Sequence, residues 1–292
     1  MSETTFLSRP IASFAFILFI SFAPTLAQTT GTEAIAINVR EKPSDTATTT
    51  RSESLGIDDY QKLLAQDPND VVSENNLGAL YFQAGRYDEA LDLIAKAAAA
   101  KPDLWNIQIN LSIALAQKND YDKALEYAKN AFKLAGTEIR VRQQLCDMYL
   151  AVRDSSNALQ CYEALVADSS SDAGDHLGFA EALLQAGDVR RAESILQDVI
   201  RMSPRDPQAY NALGMAQYEQ KHYKDAVNSF REAVTLDPDQ PRYRFNMAVS
   251  EMATSNRAGA LSQYNLLKGS NPKLADELYQ MMFADKLLVV GH

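Results

Sequence analysis

Alanine returns every 34 residues along most of this chain: Ala90, Ala124, Ala158, Ala192, Ala226 and Ala260 share one register with no insertion between them. A fixed period between about 20 and 50 residues predicts a solenoid, in which each unit is one supersecondary element that buries its apolar face only against its neighbours. Twelve residues ahead of each alanine stands a small residue: Gly78, Ser112, Cys146, Ala180, Gly214 and Ala248. The position before each is apolar, as Leu77, Leu111, Leu145, Phe179, Leu213 and Met247.

The spacing within a unit is that of helices. In the second unit Ile107, Leu111, Ala114 and Leu115 mark one face, and Ala124, Leu125, Ala128, Ala131 and Phe132 mark another. Short polar stretches, "QAGRYD", "QKNDYD" and "EQKHYK", separate the two, which predicts antiparallel helical hairpins. Small residues at the crossing let the backbones approach, while Ile94, Tyr162, Phe230 and Tyr264 fill the space beside them. Pro68, Pro102, Pro204, Pro238 and Pro272 recur where the second helix should stop, and the third unit departs from this, with Gly136 before it and Ser170 at its end.

The pattern resembles the tetratricopeptide repeat, and the fifth unit carries it most fully through Tyr210, Leu213, Gly214, Tyr223, Ala226, Phe230, Ala233 and Pro238. The resemblance implies an all-α, right-handed superhelical solenoid whose first helices line a concave groove. Six units are expected at 71–104, 105–138, 139–172, 173–206, 207–240 and 241–274. Residues 56–70, "GIDDYQKLLAQDPND", read as the second helix of a partial unit, and 275–292 as a capping helix and tail. The alternative for that last helix is docking on a partner.

The N-terminus has another composition. Arg9, an apolar run from Ile11 to Ala23, and small Thr25 and Ala27 predict a secretory signal over 1–27, with an uncleaved anchor as the alternative; the run falls short of the roughly 20 residues a spanning helix needs. A flexible Thr/Ser-rich linker is expected over 28–55. The chain is therefore expected to be secreted or periplasmic, with no membrane span once the signal is removed. An exported bacterial member of the repeat family, working in envelope, pilus or secretion assembly, is the setting this resembles.

A formal charge of −10 and a pI near 4.9 argue against nucleic acid as a partner. His176, His222 and His292 have no metal-ligand or triad spacing, no Gly-rich phosphate loop or Cys-x-x-Cys is present, and Asp122 and Glu126 read as solvating charge. The expectation is a non-enzyme with neither cofactor nor metal. Cys146 and Cys161 face each other across the third hairpin, so an exported chain would oxidise them to a disulfide; the alternative is two buried thiols acting as small apolar residues.

Binding is expected in the groove, where an extended or helical segment of a partner protein would lie. The column two residues before the small position reads Asn76, Asn110, Gln144, Gly178, Ala212 and Asn246. Side-chain amides both donate and accept, so such a ladder pairs with a peptide backbone whatever its sequence. It resembles the asparagine ladder of O-GlcNAc transferase repeat arms, broken here at Gly178 and Ala212. One residue earlier the column alternates polar and apolar, as Asn75, Ile109, Gln143, Leu177, Asn211 and Phe245. Only Asn110 and Arg140 match a carboxylate clamp, so capture of a C-terminal carboxylate is not expected, whereas Asp147 and Glu181 would favour a basic segment. A non-catalytic subunit of an envelope enzyme and a structural spacer are the alternatives.

Overall fold

The computed structural model describes residues 55–168 and 171–287; the expected signal, nearly all of the expected linker, Ser170 and His292 lie outside them. Fourteen α-helices and no strand occur among the described residues. The chain divides into a front unit ending at Ser170 and a back unit beginning at Ser171.

In the front unit α1 (Ile57–Gln66) precedes three hairpins: α2 (Val71–Gln83) with α3 (Tyr87–Ala100), α4 (Trp105–Gln117) with α5 (Tyr121–Ala135), and α6 (Ile139–Ala151) with α7 (Ser155–Val166). The back unit pairs α8 (Ala173–Ala186) with α9 (Val189–Met202), α10 (Pro207–Glu219) with α11 (Tyr223–Leu236), and α12 (Pro241–Ala253) with α13 (Arg257–Ser270), and ends in α14 (Pro272–Leu287).

Local chemistry sets these ends. Asp70, Asp154, Asp172, Asp188, Asp206 and Asn256 accept hydrogen bonds from otherwise orphan amides in the first turns of their helices. Pro207 and Pro241 begin α10 and α12, where a missing N–H costs nothing. Pro272 does the same for α14, with the Asn271 side chain accepting from the Leu274 amide at 3.1 Å. That helix therefore begins three residues before the 275 expected for the cap, because a proline that ends one helix also suits the start of the next.

Each hairpin reverses through one residue with left-handed backbone: Gly85, Asn119, Arg153, Gly187, Lys221 and Ser255, with φ between 60° and 84°. These too recur every 34 residues. Glycine takes this conformation freely and asparagine with little penalty, whereas Arg153, Lys221 and Ser255 bear a steric cost that the turn imposes.

The six register alanines are all fully buried. A Cβ built on Gly78 would lie 2.7 Å from Ile94 Cγ1, and one on Gly214 would lie 2.7 Å from the Phe230 ring, so glycine is what admits those side chains. Ile94 and Phe230 are fully buried and Tyr162 nearly so; Tyr264, expected to fill the same role, is only partly buried and stacks on Tyr279 with ring centroids 5.8 Å apart. No helix among the described residues is long and apolar enough to cross a membrane.

Candidate first-helix binding face

The residues expected to line a groove divide into buried and half-buried sets. In the front unit Asn75, Asn76, Asn110 and Ile109 are at most 1% exposed. Asn110 Nδ2 donates to Asn75 Oδ1 at 2.9 Å, Asn75 Nδ2 to Asn76 Oδ1 at 3.3 Å, and Asn76 Nδ2 to the Tyr60 hydroxyl at 3.0 Å. A polar chain thus joins α4, α2 and α1. Gln144 Nε2 donates to Ser112 Oγ at 3.0 Å, and that hydroxyl donates to the Ala124 carbonyl at 2.7 Å, tying α6 to α4 and α5. Buried amides cost stability unless they are paired, and these pair with one another between successive repeats.

In the back unit one rung forms, Asn246 Nδ2 to Asn211 Oδ1 at 2.9 Å, with Asn246 buried and Asn211 half-buried. Gly178 and Ala212 offer no amide to extend it. Arg140, Gln143, Gln144 and Asp147 of the front unit are half-buried and carry the accessible polarity of α6. Burial pulls the Arg140 pKa below the usual guanidinium value. Asp147 accepts from the Tyr162 hydroxyl, so part of its charge is engaged within the hairpin.

Cys146 and Cys161 are joined by a disulfide with Cα atoms 5.3 Å apart, closing the third hairpin. The same unit gains an ion pair between Arg142 and Asp168 at 2.8 Å, next to where its closing proline is missing. His176 contacts the Asp172 carbonyl through Nδ1 at 2.9 Å, and His222 sits exposed at the start of α11. No cluster of three or more His, Cys, Asp or Glu suited to a metal ion occurs among the described residues.

Sequence reasoning passed over one column. Three residues after the small position the chain reads Tyr81, Leu115, Tyr149, Leu183, Gln217 and Glu251. Ser229 Oγ donates to Gln217 Oε1 at 2.7 Å, and Glu251 is 4% exposed. The change from aromatic and aliphatic to amide and acid at the last two steps was the available signal.

Stacked hairpins whose first helices present partly buried polar side chains define a class, the helical-repeat proteins. Tetratricopeptide-repeat models match residues 72–137, 177–241 and 212–275, and the chain belongs to that family. It is 24% identical over 216 residues to superkiller complex protein 3 of Mus musculus, covering 71% of this chain and 14% of that one. It is 26% identical over 233 residues to cellulose synthase operon protein C of Escherichia coli strain K12, covering 77% of this chain and 18% of that one. The chain thus spans less than a fifth of either relative. Among solved structures it resembles PilW, a type IV pilus biogenesis factor, with a TM-score of 0.62 and 15% identity over 70% of this chain and 94% of that one, a likeness of fold.

Proposed function

We propose that the protein is an exported, non-catalytic scaffold that holds an extended or helical segment of a partner protein against its first-helix faces, as an assembly factor of the cell envelope. The carrying observation is the division of labour on the front unit. Buried Asn75, Asn76 and Asn110 fix the spacing of α2 and α4, while half-buried Arg140, Gln143 and Asp147 present mixed charge and amide on α6. A rigid frame bearing adaptable polar groups suits backbone recognition with modest side-chain selection. Export is supported by the apolar N-terminal run, and by the disulfide, which persists in oxidising compartments. An envelope setting is supported by the fold shared with a pilus biogenesis factor and by the cellulose synthase operon relative.

The test is affinity capture from the native cells, comparing wild type with Arg140→Ala combined with Gln143→Ala, both checked for folding by circular dichroism. A partner held by wild type and lost by the variant supports the reading. Undiminished capture moves the contact off α6, and export of a reporter fused after Ala27 tests the signal separately.

A further inference from the structure

Glu251 lies on α12 against Gly259 of α13, where a Cβ in place of the glycine hydrogen would come within 2.5 Å of Glu251 Oε1. That oxygen has one weak donor, Asn256 Nδ2 at 3.4 Å. The other oxygen, Oε2, is buried and accepts nothing, and on α13 Gln263 Oε1 is likewise a buried acceptor without a donor. The repeat register places Gln263 opposite Glu251 as it places Ser229 opposite Gln217, and in that earlier hairpin a hydroxyl hydrogen makes the bond. The register thus sets two buried acceptors without donors at matching positions of the last hairpin, where a single proton would supply the missing donor.

We propose that the Glu251 carboxyl carries that proton and donates it to Gln263 Oε1, latching α12 to α13, so that ionisation of Glu251 loosens the last hairpin of the array. The charged surroundings do little to hold the ionised form. Arg231 of α11 favours it, but that guanidinium is exposed and donates to Asn228 at 2.8 Å. The other charged groups of α11, Lys224, Asp225 and Glu232, are exposed, as are Arg257 and Lys268 of α13 and Lys273, Asp276 and Glu277 of α14. Glu219 of α10 is half-buried, and burial raises its own pKa. For Glu251 burial likewise pushes the carboxyl above the ordinary glutamate value, outweighing Arg231.

The linkage has a definite sign. A raised carboxyl pKa means that the folded hairpin binds a proton the open form releases. Stability is then complete below the unfolded value of about 4.3 and falls as pH rises towards the folded value. Two measurements on the full chain test the latch: a carbon-13 titration of the glutamate side chains, and hydrogen exchange across α12 and α13, corrected for intrinsic chemistry. The expected result is a Glu251 midpoint above the ordinary range. Opening of α12 and α13 should rise by up to about tenfold per pH unit across the window, as one proton dictates, and level off above it. Glu251→Gln, which keeps shape and removes the proton, should give a flat profile. A Glu251 midpoint at or below the ordinary value, as when the Gln263 amide nitrogen donates to an ionised carboxylate, overturns the proposal, and so does an unchanged slope in Glu251→Gln.

Discussion

The front and back units are built on one 34-residue frame and held by different chemistry. The front unit ties its hairpins with named bonds: the Asn75, Asn76 and Asn110 chain, the Gln144 to Ser112 bridge, the Cys146 to Cys161 disulfide, and Lys96 paired with buried Glu74. The back unit has no disulfide among its described residues and only one amide rung. It adds the Ser229 to Gln217 and Gln220 to Glu193 hydrogen bonds, the Phe230 ring in the space that Gly214 leaves, as Ile94 fills that of Gly78 in the front, and a carboxyl at a site where Tyr81 and Tyr149 stand in the front. A repeat fixes which positions face each other and leaves open whether they meet through contact, hydrogen bond or covalent link.

The largest test of that contrast is Phe230→Ala, expected to cost about 3–5 kcal/mol through lost burial and the cavity left behind. Trp105, the only tryptophan, lies in the front unit, so its fluorescence reports there while far-ultraviolet circular dichroism reports the whole. The circular dichroism midpoint in urea should fall and the tryptophan midpoint hold. Coincident shifts would mean that the two units unfold as one.

Next in size is the paired change Cys146→Ser with Cys161→Ser. A 15-residue closure is worth about 3 kcal/mol, and here the tryptophan transition should move. Asn110→Ala should follow at about 1–3 kcal/mol, because it strands the buried Asn75 acceptor, whereas Asn246→Ala leaves half-buried Asn211 within reach of water and should cost about 1 kcal/mol. Equal losses would erase the distinction between a buried chain and a lone rung.

The smallest expected effect is one of pH. Asp154 caps α7, and the donors of Asn157 hold its carboxyl below the ordinary range. Its contribution is present above the unfolded aspartate value and lost as pH falls through the folded value, the reverse of the sign derived for Glu251. Because Asp154 is only partly buried and its carboxylate is screened by solvent, its effect should stay under about 0.5 kcal/mol, seen as fraying of α7 by hydrogen exchange in acid. Asp154→Asn should flatten it.

Much of this was legible in the residues. Alanine at a fixed step, a small residue twelve earlier and polar turns between helical faces determine hairpins, because only one backbone period buries those positions together. The amide column was legible as a column, but not in its use. Which way Asn110 turns, outward to a ligand or sideways to Asn75, depends on how far apart α2 and α4 settle, and a one-dimensional register holds no such distance. The same holds for the cysteines: a separation of 15 put them on facing helices, and only the packed hairpin brought their Cα atoms to 5.3 Å.

The left-handed turn residues show the limit most clearly. Gly85 and Gly187 announced themselves, while Arg153, Lys221 and Ser255 take the same conformation with no local preference for it. The sequence by itself determined the period, the helices and their pairing, since these follow from local spacing and burial. Tertiary structure alone decided which polar groups are spent inside and which face outward, because that choice is settled by desolvation, and desolvation depends on neighbours 34 residues away.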